Sequence, residues 1–147
     1  MWHQCVQLVE LLLTPYKRRF CQRTAAISGA WYDTSHDGEG WLLDILADGR
    51  ALVNWFTYDP EGNQAWFLNT GQVEGDTIRF NLLVPSGTDF GPTFDPDRVN
   101  RPPWGRATFK FDDCNSGTMN YDSPLPGYGS GSLALTRLTK LSGLECQ

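Results

Sequence analysis

Residues 40–74 read GWLLDILADGRALVNWFTYDPEGNQAWFLNTGQVE. Three runs of apolar and polar residues are separated by Asp48-Gly49 and by Pro60-Glu61-Gly62. Runs rich in β-branched and aromatic residues between turn-forming pairs are the mark of sequential antiparallel strands. Asp48-Gly49 suits a two-residue hairpin turn, because both types tolerate positive φ. Pro60-Glu61-Gly62 suits a three-residue turn with Gly62 left-handed, and Gly75-Asp76 suits a mirror-type turn with Gly first. Working outward from this stretch, strands are expected near 29–33, 40–47, 50–58, 64–74, 77–84, 105–111, 117–122 and 129–138. Eight sequential strands with short turns favour an all-β, antiparallel up-and-down barrel, with a two-sheet sandwich as the alternative.

Turn length sets which residues stand opposite one another, and opposed residues share a face. The three turns pair Asp44 with Val53, Leu42 with Trp55, Phe56 with Trp66, Trp55 with Phe67, Val73 with Ile78 and Asn69 with Leu82. One face then collects Leu42, Asp44, Leu46, Val53, Trp55, Thr57, Phe67, Asn69, Val73, Ile78, Phe80 and Leu82, extended by Ala107, Phe109 and Phe111. It is mostly apolar and is read as the interior. An inward Asp44 is costly unless paired, so Asp44, Trp55, Thr57, Phe67 and Asn69 form a candidate ligand site. The other reading is a structural Asp44 satisfied by Asn69, backbone or water. Trp41, Phe56 and Trp66 fall on the opposite face as an aromatic row suited to a sugar face or a protein partner, unless another segment covers it.

Two segments stand apart. Pro85–Trp104 is a long connection rich in Pro, Gly and Asp. It reads either as a lid over one barrel mouth or as a packed loop held by Phe90 and Phe94. Residues 1–28 read as a helix over 2–14, ended by Pro15, and a basic linker over 17–23. The main β domain then runs from 29 to 147. Lys17, Arg18, Arg19 and Arg23 against Glu10 give the first segment +3. The other 8 basic and 16 acidic residues give the remainder −8, for a total of −5. So acidic a body repels phosphate backbones, which argues against nucleic acid as a partner. No apolar run reaches the roughly 20 residues of a membrane-spanning helix, and the N-terminus makes a poor signal peptide.

Chemical motifs are sparse. There is no Gly-rich phosphate loop and no Ser nucleophile elbow. His3 and His36 are too isolated for a zinc site. Asp33, Asp37 and Glu39, or Asp95 and Asp97, lack the regular spacing of a calcium loop and read better as surface turns. Glu39, Asp59 and Glu61 sit at strand ends or turns, where acids are ordinary, so a hydrolase ranks third behind a binding module and an interaction domain. No cofactor is expected. Cys114 opens the seventh strand and Cys146 follows the eighth, so a bridge between them is geometrically sensible and would imply an oxidising compartment. The setting of Cys5 and Cys21 gives no such support.

Gly29-Ala30-Trp31-Tyr32-Asp33, Gly38-Glu39-Gly40-Trp41, Trp55-Phe56-Thr57-Tyr58-Asp59, Asp113-Cys114-Asn115-Ser116-Gly117 and Leu135-Thr136-Arg137-Leu138 together resemble an uncharacterised bacterial domain of exported proteobacterial proteins, often C-terminal. The resemblance covers residues 29–146. It implies an extracytoplasmic (periplasmic or secreted) module and no particular activity. A more distant resemblance is to the calycin barrels, lipocalins and avidins, which open on Gly-x-Trp. In lipocalins an Arg near the last strand packs over that Trp; Gly29-x-Trp31 and Arg137 take the corresponding places. The lipocalin likeness implies an apolar ligand cavity, although Trp55, Phe67, Phe80, Phe109 and Phe111 could equally fill an eight-stranded interior. The 85–104 loop departs from the avidin pattern and speaks against a biotin-like site. The combined expectation is a non-catalytic extracytoplasmic module for a small or extended ligand, an apolar molecule or a glycan. The alternative is a protein-binding or surface-attachment domain with a filled barrel.

Non-reducing mass analysis of the oxidised protein should recover peptides containing Cys114 and Cys146 as one species. Closing a loop of that length is worth roughly 3–4 kcal/mol in the chain-entropy model. Free thiols at both positions would remove the case for an oxidising compartment.

Overall fold

The structure, a computed structural model, describes residues 24–146. The helix expected over 2–14, the linker over 17–23 and Cys5 and Cys21 lie outside that range. Eight strands follow in order: β1 (Gly29–Tyr32), β2 (Gly40–Ile45), β3 (Arg50–Tyr58), β4 (Gln64–Glu74), β5 (Thr77–Leu83), β6 (Pro103–Phe111), β7 (Ser116–Ser123) and β8 (Gly129–Arg137). Each pairs antiparallel with the next, and β1 pairs with β8, so the sheet closes into an up-and-down barrel rather than a sandwich. Closure leaves no free strand edge.

Two of the three tight turns set the register as their sequences predict. Phe56 faces Trp66 and Trp55 faces Phe67 across β3–β4, and Val73 faces Ile78 across β4–β5. Gly71 sits opposite Phe80, where an added Cβ would come within 2.6 Å of the ring. Only a glycine lets that ring lie flat against β4.

The first turn differs, and the difference inverts a strand. The Leu46 amide donates to Arg50 O and the Gly49 amide to Leu46 O. The connection is therefore three residues, Ala47-Asp48-Gly49, with only Gly49 left-handed at φ 86°. Asp59–Asn63 closes in the same way around Gly62. A two-residue turn of the expected type needs positive φ at Asp48 as well, which costs a residue with a Cβ. The extra residue shifts β2 by one, so Trp41 faces Trp55 and Leu43 faces Val53. A shift of one exchanges the two faces of a strand. Trp41 is 1% exposed and Leu43 is buried, whereas Leu42 and Asp44 face solvent. The inward Asp44 and the outward Trp41 of the sequence reading are both overturned by this.

The interior is filled. Trp31, Trp41, Trp55, Phe67, Phe80, Trp104, Phe109, Phe111 and Met119 form one buried cluster with Leu43, Val53, Val73, Ile78, Leu82 and Leu135. The rings meet mostly edge to face: Trp41 on Phe109 at 6.0 Å, Phe80 on Phe109 at 5.3 Å and Trp31 on Phe111 at 5.1 Å between centroids. Such contacts add about 0.5–1.5 kcal/mol each beyond the area they bury.

The seam between β1 and β8 is short, with only Trp31–Arg137 and Tyr32–Thr136 paired. Side chains reinforce it. The Arg137 guanidinium lies 5.2 Å from the Trp31 ring centroid and donates to the carbonyls of Ala26 and Ser28 and, through Nε, to Thr139 O. The Trp31 indole donates to Ile27 O at 2.9 Å. The chain entering β1 and the chain leaving β8 are thus gathered at one pole. There Cys114, in the β6–β7 turn, and Cys146 lie at disulfide-bonding distance with Cα atoms 6.1 Å apart.

The long connection is not the packed loop held by Phe90 and Phe94. It carries two 3-10 turns, Gly91–Thr93 and Pro96–Arg98, and a bridge between Ser86 and Asn100 ties its base. Phe90 is 99% exposed and Phe94 55%, so these rings do not hold a packed loop.

Arg137→Ala should destabilise the domain by about 2–3 kcal/mol, because it strands carbonyl acceptors and removes the ring stack. Urea denaturation would measure this. Arg137→Lys should recover less than half the loss, since an ammonium cannot keep the planar fork.

Candidate functional site

At the pole opposite the chain ends, β1 stops at Tyr32 while β8 continues past it. The 33–39 loop spans the gap left beside β8. Asp33 anchors it: Oδ1 accepts from the Ser35 amide and hydroxyl, and Oδ2 from the Ala134 amide of β8. These bonds hold the Asp33 carboxyl below its usual pKa, the Ser35 hydroxyl contributing most.

Glu39 precedes Gly40 and shares the parity of Trp41 and Leu43, so its side chain turns into the mouth. Its carboxylate is 16% exposed, with Oε1 3.0 Å from His36 Nδ1. Oε2 accepts from Thr57 Oγ1 at 2.6 Å and from the Trp55 indole at 3.4 Å. The shift that expels Asp44 therefore brings in a different carboxylate.

Around it lies a cavity of about 220 Å³ open at the mouth, whose walls include Trp55, Thr57, Phe67, Trp104, Tyr121 and Tyr128. Phe67 stacks on Trp104 at 4.4 Å and Tyr128 meets Trp104 edge-on at 5.4 Å. Tyr128 has its pKa pushed up, first by burial and then by the nearby Asp59 and Glu61 charges, so it stays a protonated donor. Below this layer Trp41, Phe80, Phe109 and Met119 are buried in the core.

Of the five residues grouped from sequence, Trp55, Thr57 and Phe67 line this mouth. Asp44 is on the outer face. Asn69 is occupied elsewhere: its amide donates to Asn81 O at 2.7 Å and its oxygen accepts from the Thr70 amide. It bridges β4 and β5 where their ladder is interrupted. Asp59 also borders the mouth, but its carboxylate is turned into its own hairpin, accepting from Glu61 and Asn63. Asp95 accepts from the Asp97 amide within its 3-10 turn. Among the described residues no group of three His, Cys, Asp or Glu is placed to hold a metal ion, and no helix is long and apolar enough to cross a membrane.

Glu39, Trp104, Tyr121 and Tyr128 were not grouped with the site from sequence. Correct β2 parity would have found Glu39. Trp104 lies at the end of the long connection, where no tight turn sets register. On the outer face, Phe56 and Trp66 stand opposed and are 47% and 45% exposed, without Trp41. No family model, curated protein or solved structure matches the chain.

Replacing Asp33 by Ala should cost about 1–3 kcal/mol, the usual loss when a buried donor is left unpaired. The folded carboxyl ionises at lower pH than the unfolded one, so its contribution is complete above about pH 4 and fades as pH falls through the lower folded value. Wild type should therefore lose stability on acidification more steeply than the variant. Denaturation series from pH 6 to pH 2.5 (~ values bracketing the carboxylate range) would show this.

Proposed function

We propose that this domain is a non-catalytic extracytoplasmic module that binds a small ligand in the mouth of its barrel. The placement of Glu39 carries the reading. A carboxylate is drawn into a ring-lined recess and held by Thr57, Trp55 and His36. Small-molecule sites commonly combine apolar walls with a few fixed polar groups. Asp59, which also lines the mouth, has its carboxylate engaged within its own turn. The Cys114–Cys146 pair supports an oxidising compartment. The Arg137–Trp31 stack supports the likeness to calycin barrels, but with the ligand at the rim rather than along the axis. The net acidity of the body still argues against nucleic acid.

A second reading has its own observation. Phe56 and Trp66, joined by Leu42 and Tyr58, leave large apolar side chains exposed on the outer face, which suits a protein or surface contact.

Thr57→Trp, which fills the mouth from its wall, distinguishes the two. In a thermal-shift screen of small polar and apolar compounds, some should raise the wild-type midpoint by about 3–5 °C at tenfold excess over Kd. The same compounds should leave the filled variant unmoved. If every active compound stabilises both proteins equally, or none stabilises wild type, the mouth is not the binding site.

A further inference from the structure

The rings at the mouth stand at steep angles to one another and do not form a flat platform. Trp55 and Tyr121 lie 5.6 Å apart between centroids, with 53° between their planes. Tyr128 stands 78° from Phe67 at 5.8 Å. Tyr121 is set by its cross-strand partner Gly131, where an added Cβ would come within 2.6 Å of the ring. Both tyrosines are only partly buried, and they line the cavity together with Trp55. Walls set at angles surround a bound group from several sides, which is how ring faces hold an organic cation.

The charges of the mouth have the matching sign. Glu39 and Asp59 both line the cavity. Among the described lining residues His36 is the one basic side chain, and its Nδ1 is turned to Glu39. Even with His36 protonated the lining keeps a net negative charge. Asn63 and the amides of its own turn hold the Asp59 carboxyl below its usual pKa range, so its charge persists. Glu61 lies close enough to act with Asp59 on Tyr128, whose pKa they raise further than burial alone does. A field that disfavours a phenolate attracts a cation. An anion would be repelled by the same groups.

The hydrogen bonding of Glu39 narrows the class. A carboxylate offers about four acceptor positions, and Thr57, Trp55 and His36 approach three of them. A primary ammonium brings several N–H donors and would find little acceptor capacity left on Glu39. A quaternary ammonium has no N–H to satisfy. It needs a nearby negative charge and ring faces, and both are in place.

Resting on the mouth-binding reading above, we infer that the mouth holds a small quaternary ammonium cation with no anionic group, of the choline kind. Its N-methyl groups lie against Trp55, Tyr121 and Tyr128, and its charge faces Glu39 and Asp59.

Ligand-observed ¹H NMR with the full chain tests this. The probes are choline chloride, phosphocholine, ethanolamine hydrochloride and 3,3-dimethylbutan-1-ol, the uncharged carbon isostere of choline. The choline trimethyl signal should move upfield saturably as protein is added, because ring faces shield methyl protons. The other three should bind about tenfold more weakly or worse. Glu39→Gln should weaken choline about tenfold. Tyr128→Leu should weaken it about three- to tenfold, whereas Tyr128→Phe, which keeps the ring, should bind as wild type does. Thermal midpoints show whether each variant is folded. Should a variant fail to fold, a salt series on wild type serves instead: from about 10 mM to about 1 M NaCl, choline should weaken and the isostere should not.

Equal binding of choline and its isostere overturns the cation assignment and leaves the mouth a binding site. Ethanolamine or phosphocholine binding as tightly as choline overturns the quaternary, anion-free choice. Choline binding that Glu39→Gln, Tyr128→Leu and salt all leave unchanged overturns the placement in the mouth. If all four probes are silent while the thermal screen finds a compound that Thr57→Trp excludes, the cation assignment alone falls. If both experiments are silent, both readings fall.

Discussion

The barrel depends on a seam that its backbone alone closes poorly. Every other strand junction is a longer ladder, whereas β1 and β8 share two residue pairs. Arg137 makes up the difference by donating to carbonyls from the chain before β1 and by covering the Trp31 ring. Burial pushes the Arg137 pKa down, yet a guanidinium remains charged at any ordinary pH. Asp33 performs the matching task from the other side of β1, reaching the β8 backbone through Ala134. A cation near one end of the seam and an anion near the other therefore hold the sheet closed, and the short β1 leaves the gap in which the candidate site lies.

Much of this was legible in the sequence, because turn residues punctuate it so clearly. All eight strands, their order and the Cys114–Cys146 proximity follow from spacing alone. The register of β3, β4 and β5 followed from Pro60-Glu61-Gly62 and Gly75-Asp76. The register error in β2 came from treating Asp48-Gly49 as a complete turn rather than the last two residues of a three-residue one. A cue was available: the three-residue register puts Trp41, Leu43 and Ile45 inward and leaves no charge inside, whereas the two-residue register buries Asp44. Burial energetics would have chosen the former.

That single residue of loop length decides the candidate site. It removes Asp44, supplies Glu39, and moves polar chemistry from the barrel centre to its rim. It also adds Trp41 to the core, which helps close the axis to ligands. Trp104, Tyr121 and Tyr128 were beyond the reach of pattern reading, because they arrive from β6, β7 and the β7–β8 connection through long-range packing. The outer row loses Trp41 and keeps Phe56 and Trp66.

The gathering of residues 24–28 and 138–146 at one pole has a consequence for orientation. Residues 28 and 138 both lie on the side facing away from the recess, as a stalk meets a cup. A tether, a neighbouring domain or a fused reporter could be attached there without obstructing access from above. Conversely, anything introduced into the 33–39, 59–63 or 124–128 segments would stand on the rim itself.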